Sequence, residues 1–193
     1  MLAYVFWHWK QESVPIDEYE AAQRAFHAAL AAAPPPGFLG SRSFALAGYP
    51  WAAMGAAAYE DWYHVTDSAG LDPLNQAAVT ASREAPHHAA ARLAEGGTAG
   101  LYRLKLPPEP PSTAFDRPRP PSTHASWFAK PAGLSYPALW SLLGRVVEDQ
   151  KATLWIRHMT LGPSPEFCLQ SPGPLHLPPP IAPLGVTLRS VWP

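Results

Sequence analysis

A proline-dense stretch, residues 107–122, constrains the fold of this chain more than any other part of the sequence. It reads PPEPPSTAFDRPRPPS and holds seven of the chain's 25 prolines. Proline fixes φ and lacks an amide N–H, so neither a regular helix nor a central strand can run through such a segment. We therefore predict a semi-rigid linker that spans up to roughly 50 Å at about 3.1 Å per residue. An alternative use is as a ligand for polyproline-binding domains, since PPEPP and RPRPP have suitable spacing.

The linker divides the chain into a first unit, residues 1–106, and a second unit, residues 123–193. In the first unit, runs rich in aromatic and β-branched residues predict strands at 3–10, 38–46, 57–65 and 99–106. A helix separates the first two strands and ends at Pro34. A second helical zone, in two pieces, ends at Gly96 and Gly97. The order β-α-β-β-α-β is typical of a ferredoxin-like unit, in which two helices cover one face of a four-stranded antiparallel sheet.

The second unit has the same order with one helix missing. Strands are predicted at 124–130, 152–161, 166–171 and 185–193. A helix with Ser135 as its N-cap lies between the first two of these strands. The segment PGPLHLPPPIAPL stands where a second helix is due, and its prolines exclude a regular helix. The chain is therefore predicted to be an α+β protein of two fused ferredoxin-like units, the second lacking one helix.

This arrangement resembles the dimeric α+β-barrel superfamily, which includes EthD-like proteins and antibiotic-biosynthesis monooxygenases. The resemblance rests on the element order of both units and on strands such as YEDWYHV (59–65) and LGPSPEFCL (161–169). It implies that the two antiparallel sheets pack face to face as a barrel, and that a tandem member supplies both sheets from one chain. Cofactor-independent oxidation or isomerisation matches the superfamily by analogy only, and the resemblance carries no activity over to this chain.

Charge and apolar patterning exclude several classes of partner. The formal net charge is −1, so no basic surface for nucleic acid is expected. No apolar stretch reaches the roughly 18 residues that a membrane span needs. The N-terminal segment lacks the basic region of a signal peptide, and the single cysteine, Cys168, suits a reducing compartment. We expect a cytoplasmic protein that is a monomer or a homodimer.

The alternation of side chains along each strand predicts which residues face the lumen between the two sheets. In strand 57–65 we expect Glu60, Trp62 and His64 to face the lumen, because the alternate residues form a better core under the helices. Asp61 is then expected on the helix side.

Two further strands contribute to the predicted lumen. In strand 152–161, Trp155 and Arg157 are expected to face inward. In strand 99–106, Tyr102 is expected to pack under the helices, which places Arg103 on the lumen face.

These assignments suggest a ligand pocket built from tryptophans with polar anchors. Tryptophan supplies stacking area and arginine pairs with carboxylates, so the pocket suits a small, apolar or aromatic molecule. The predicted ligand-binding residues are Trp7, Glu60, Trp62, Arg103, Trp127 and Trp155. Whether the protein is an enzyme stays open. In an enzyme, His64 is the candidate general base, and Arg157 or Arg103 stabilises an anion.

The alternative is a non-catalytic structural or interaction protein with a packed barrel. In that interpretation the tryptophans fill the space between the sheets. Partners then bind through exposed strand edges and the proline-rich segment. The two hypotheses differ in one requirement, because a binder needs a cavity of roughly 300 Å³ or more with convergent polar groups.

Neither a metal site nor a cofactor is predicted. His87 and His88 are adjacent on a helix and point about 100° apart, so they do not form a pair of ligands for one metal. Haem stays an open alternative, because some members of the superfamily that this chain resembles bind it through a histidine. No residue of this sequence identifies such a ligand.

Overall fold

The computed structural model describes residues 1–47, 57–108, 122–160 and 164–192. Its strands are β1 (Leu2–Lys10), β2 (Phe38–Ala47), β3 (Ala58–Val65), β4 (Ala94–Leu106), β5 (His124–Phe128), β6 (Thr153–Thr160), β7 (Phe167–Ser171) and β8 (Leu184–Trp192). Its α-helices are α1 (Ile16–Ala32), α2 (Leu71–Ala78), α3 (Glu84–Leu93) and α4 (Tyr136–Asp149). None of these helices combines the length and the apolar character needed to cross a bilayer.

The eight strands close into one barrel in the order β1-β3-β2-β8-β5-β7-β6-β4. Every neighbouring pair is antiparallel. Strands β1 to β4 form one ferredoxin-like sheet, and β5 to β8 form a second with the same internal order. The pairs β2–β8 and β4–β6 join the two sheets, which confirms the predicted fold class. Closure pairs both sides of each described strand, so none of them offers the open edge that the non-catalytic alternative invokes.

The core consists of a lumen layer and two outer layers. The lumen cluster draws on all eight strands and contains Ala3, Val5, Trp7, Phe44, Trp62, Tyr102, Ala125, Trp127, Trp155, Cys168, Val186 and Leu188. Outside the first sheet, α1 and α2 contribute Phe26, Leu30 and Leu74 to a second cluster. Outside the second sheet, α4 contributes Leu139 and Leu143 to a third. Much of the sheet is therefore buried on both faces, and β3 is buried at each of its positions.

Strand β4 begins at Ala94, earlier than predicted, so Gly96 and Gly97 lie inside a strand instead of ending a helix. A Cβ on Gly96 would lie 2.7 Å from the Trp9 ring, and a Cβ on Gly97 would meet the Phe6 ring. The two glycines therefore mark the close approach of aromatic rings from β1 to the backbone of β4.

An extended segment lies where a complete ferredoxin-like unit carries its second helix. Residues 172–183 contain no helix, as their prolines predict. Ile181 is buried in the α4 cluster, and Leu175 and Leu177 pack against it. The segment thus supplies apolar contacts to the outer layer of the second sheet without regular structure.

The predicted linker, residues 107–122, falls mainly on residues 109–121, which lie outside the described residues. The chain leaves β4 at Leu106 and enters β5 at His124. The division into two units at this linker stays a prediction.

Candidate functional site

Aromatic side chains from five strands fill the barrel lumen. The ring centroids of Trp62 and Trp155 lie 5.2 Å apart, and those of Trp7 and Trp127 lie 5.4 Å apart. Tyr102 packs against Trp127 at 5.5 Å and against Trp62 at 6.3 Å. None of these five side chains is more than 3% exposed. The rings meet in the tilted and edge-on geometries that aromatic pairs prefer, so the described lumen residues form a packed core.

A carboxylate lies inside this aromatic core. Glu60 is fully buried. Its two oxygens accept hydrogen bonds from two indoles, Trp7 Nε1 at 2.7 Å and Trp62 Nε1 at 2.5 Å. Hydrogen bonds of this kind offset part of the free energy lost when a carboxylate leaves water. Burial, with a smaller contribution from Glu60, raises the pKa of the Cys168 thiol well above its usual value, so Cys168 is a core residue and not a nucleophile.

His64 is buried in the same lumen beside two tryptophans. Its ring centroid lies 5.5 Å from that of Trp155 and 6.2 Å from that of Trp62. Burial, and then the charge of Arg42, lower the pKa of His64 to about 3. The imidazole is therefore neutral at pH 7. It is also a weak base, since an efficient general base has a pKa near the working pH.

We expect the buried His64 to make the fold less stable in acid. Its pKa is about 3 in the folded chain against an ordinary value of 6.5, so between these values the unfolded chain binds the extra proton. Stability then falls as the pH falls. At roughly 1.4 kcal/mol per pKa unit, this residue alone accounts for a loss of about 2 kcal/mol between pH 7 and pH 5. His64→Gln should lack that loss in urea denaturation at the two pH values, and an equal loss in both proteins would contradict the expectation.

Polar contacts hold Ser164 and Pro165, which precede β7, against β4 and β6. The Tyr102 hydroxyl lies 2.7 Å from Ser164 Oγ and 2.7 Å from the carbonyl oxygen of Pro165. Arg157 Nη1 donates to the carbonyl oxygen of Ser164 at 2.7 Å. Arg157 therefore holds the backbone at Ser164.

A second buried cluster lies behind the barrel wall, where α1 covers β1 and β3. Its centre is the Asp61 carboxylate, whose Oδ2 lies 3.2 Å from His8 Nε2 and 3.3 Å from His27 Nε2. The Tyr63 hydroxyl donates to the same oxygen at 2.8 Å. Burial alone would raise the pKa of Asp61, but its interactions with His27 and His8 outweigh burial and hold that pKa well below the usual value. Asp61 is therefore an ionised carboxylate inside the protein.

Two hydroxyl groups position the imidazoles of this Asp61 cluster. His8 Nδ1 lies 2.6 Å from the Tyr19 hydroxyl, and His27 Nδ1 lies 2.7 Å from Ser41 Oγ. These contacts connect α1 with β1, β2 and β3 through polar groups. Within the described part of the chain, no group of three or more His, Cys, Asp or Glu side chains is arranged to hold a metal ion.

A groove of about 350 Å³ lies outside the barrel, where the start of α1 meets β2, β3 and β8. Its apolar lining consists of Ile16, Ala45, Leu46, Ala47, Ala57 and Ala58, and its polar lining of Tyr59, Thr187 and Arg189. Two of the polar residues bind the same carboxylate. Arg189 Nη1 donates to Glu20 Oε2 at 3.3 Å, and the Tyr59 hydroxyl donates to Glu20 Oε1 at 3.4 Å. The groove therefore combines small apolar side chains with a guanidinium that a buried carboxylate orients.

No protein-family model and no curated protein matches this chain. Among solved structures, a "Putative monooxygenase" from Fusobacterium nucleatum subsp. nucleatum aligns with a TM-score of 0.62 at 9% identity, over 98% of this chain and 92% of that chain. A "Putative Chlorite dismutase" aligns with a TM-score of 0.52 at 10% identity, over 99% and 96% of the two chains. Both alignments show that these proteins share the fold of this chain, an α+β barrel of the kind that the resemblance predicts. A haem-binding protein from Thermus thermophilus aligns with a TM-score of 0.45 at 13% identity, over 97% and 90%.

The barrel brings most of the predicted site residues to its lumen. The lumen layer contains Trp7, Trp62, Trp127 and Trp155, and Glu60 and His64 contact its tryptophans. Their roles in binding or catalysis stay predictions. His64 and Arg157 belong to one cross-strand row that runs through Ala3 and Tyr102. Three strand spacings separate them, roughly 14 Å along the wall, so the row does not bring the two predicted catalytic residues into contact.

The predicted lumen position of Arg103 is wrong. Tyr102, which was expected under the helices, belongs to the lumen cluster, and Leu104 packs against that cluster. Arg103 is exposed on the outer face, where its Nη2 lies 3.5 Å from His158 Nε2. Both faces of a barrel sheet can be buried, so an apolar side chain does not by itself identify the inner face. Gly100 makes room for the Tyr102 ring in this orientation, because a Cβ at position 100 would lie 3.0 Å from that ring.

The Asp61 cluster is the part of the molecule that sequence reasoning missed. The expected position of Asp61 on the helix side is correct, and a carboxylate buried there requires a polar partner. His27 follows Phe26 on the buried face of α1, and this histidine among apolar residues was the available signal. No comparable pattern in the sequence indicates the groove, because its alanines come from different strands.

Proposed function

We propose that the chain binds a small, largely apolar molecule in the groove between α1 and strands β2, β3 and β8. The observation that carries this proposal is the groove volume of about 350 Å³. Ligand sites usually measure roughly 300–1,000 Å³ and combine a mostly apolar lining with a few polar groups. The names of the two aligned structures, "Putative monooxygenase" and "Putative Chlorite dismutase", also favour a small-molecule ligand.

The lumen serves in this proposal as a rigid core. A ligand among Trp7, Trp62, Trp127 and Trp155 would require these rings to separate, and they are packed against one another. The packing therefore supports the alternative in which the tryptophans fill the space between the sheets. The low pKa of His64, about 3, also favours binding over proton abstraction.

Haem does not fit the described lumen, the Asp61 cluster or the groove. A haem needs an axial ligand beside space for its macrocycle. The ring nitrogens of His8 and His27 lie against Asp61 and hydroxyl groups, and His64 packs against tryptophans. The lining of the groove contains no histidine. The proposed function therefore includes no haem.

Filling the groove is expected to weaken the binding of a neutral apolar probe. Ala47 is exposed and lines the groove, so Ala47→Phe adds a ring there without overpacking the core. Isothermal titration calorimetry with 2-naphthamide should give a loss of affinity of roughly tenfold or more. The matched control is Ala129→Phe, which adds the same ring at an exposed alanine outside the lining.

Two results would contradict this proposal. The first is that the wild-type chain binds neither 2-naphthamide nor its carboxylate analogue, 2-naphthoate. The second is equal affinity in the two variants, with NMR shifts on binding confined to the indole N–H signals of Trp7 and Trp62. That second pattern would favour the predicted lumen site, because both indoles donate to Glu60 inside the barrel.

A further inference from the structure

The lining of the groove contains one charged side chain among the described residues, Arg189. We propose that the ligand of the groove carries a carboxylate, which binds the guanidinium of Arg189 while the apolar part of the ligand lies on the alanines. The inference rests on the proposed function, because it concerns the ligand of the same groove. Arginine pairs with carboxylates through two parallel N–H donors, which gives this contact both strength and direction.

Glu20 positions Arg189 at the groove. Both terminal nitrogens of Arg189 contact the Glu20 carboxylate, and the Nη1–Oε2 distance is 3.3 Å. Glu20 belongs to α1, and its side chain is only 9% exposed, whereas the Arg189 side chain is 59% exposed. A guanidinium has five N–H donors, so pairing with Glu20 leaves donors for a second anion. Glu20 therefore fixes the guanidinium without using all of its donors.

Glu20 neutralises the charge of Arg189 only in part. Glu20 also contacts a second guanidinium, because Arg24 Nη1 is 3.5 Å from Glu20 Oε2, and Arg24 is not among the lining residues of the groove. Hydrogen bonding from Arg189 holds the pKa of Glu20 below its usual value, so Glu20 is ionised. Glu20 is shared between two guanidinium groups, so it offsets the charge of Arg189 only in part. A ligand carboxylate at Arg189 would neutralise this charge.

The N-terminus of α1 is not the source of the preference for a carboxylate. Helix N-termini favour anions, and Ile16 at the start of α1 lines the groove. The first turn of α1 also carries Asp17 and Glu18, whose charges oppose an approaching anion. Discrimination between a carboxylate and a neutral group should therefore depend on Arg189.

The experiment compares two probes that differ only in charge, 2-naphthoate and 2-naphthamide. Calorimetry at pH 7 should show that the wild-type chain binds 2-naphthoate roughly tenfold more tightly than 2-naphthamide. Arg189→Gln should bring this ratio close to one. Arg24→Gln is the matched control, because it removes the same charge from the same carboxylate but lies outside the groove lining, and it should keep most of the preference. Thermal unfolding checks that each variant is folded, and Arg189→Lys should keep part of the preference because lysine lacks the planar fork.

Each outcome supports or overturns the inference. Equal affinities of the two probes for the wild-type chain would overturn the carboxylate, while the proposed apolar site would stand. An equal loss of preference in Arg24→Gln and Arg189→Gln would overturn the direct contact with Arg189. If neither probe binds the wild-type chain, both the inference and the proposed function fail.

Discussion

Trp62→Ala is expected to destabilise the folded chain by roughly 3–5 kcal/mol, the range for large aromatic side chains removed from a protein core. Trp62 is fully buried and packs against Trp155, Trp127 and Tyr102. Its removal leaves a cavity in the lumen, and it also takes away one of the two indole donors to Glu60. Urea denaturation followed by far-ultraviolet circular dichroism measures the change in the free energy of unfolding.

Two control variants separate the causes of this loss. Trp62→Phe keeps much of the ring volume but lacks the N–H, so its cost of roughly 1–3 kcal/mol would measure the lost hydrogen bond to Glu60. Trp140→Ala removes a half-buried tryptophan of α4 that stacks on Tyr136 at 5.5 Å, and should cost less than Trp62→Ala. A loss at Trp62 no larger than that at Trp140 would contradict the packed lumen. It would favour a lumen with room for a ligand.

The element order could be predicted from sequence because local signals decide it. Proline clusters predict no regular structure for residues 107–122 and exclude a helix from residues 172–183, and the runs between them are long enough to show their periodicity. The ferredoxin-like pairing then follows from the order of the elements. The closed barrel was predicted only from the resemblance to the superfamily, because no local feature of the strands specifies the β2–β8 and β4–β6 pairs.

The lumen could be predicted only in part, because alternation shows which residues share a face and not which face points inward. In β3, the residues that alternate with Glu60, Trp62 and His64 form the better core under the helices. The assignment of these three residues to the lumen is correct. In β4, the residues on both faces of the strand include apolar side chains. The predicted inner residue was therefore Arg103, whereas Tyr102 occupies the inner face in the structure. The deciding contacts of Tyr102 are with Trp127 and Ser164, which lie far away in the sequence.

Asp61→Ala is expected to destabilise the fold by roughly 3–5 kcal/mol, because removing one partner from a buried ionic cluster leaves the others without compensation. His8 and His27 would each lose the carboxylate that lies 3.2 and 3.3 Å from their Nε2 atoms. The Tyr63 hydroxyl would lose its acceptor. Urea denaturation at pH 7 measures the effect. Asp149→Ala is the matched control, since it removes an exposed carboxylate and should change stability by no more than about 0.5 kcal/mol.

The difference in the free energy of unfolding between wild type and Asp61→Ala should depend on pH. That dependence distinguishes a charged partner from a packing contact. The pKa of Asp61 in the folded chain lies well below the ordinary 3.8, so the unfolded chain takes up the proton first as the pH falls. The stabilising contribution is therefore present above the ordinary value and is lost only as the pH falls through the folded value. The gap between wild type and Asp61→Ala should then narrow only in strong acid, below about pH 4. Asp61→Asn retains an oxygen for Tyr63 without the charge, so it should recover only part of the loss. Full recovery by asparagine would contradict the ionic role, because the hydrogen bond from Tyr63 alone would then account for the stabilisation.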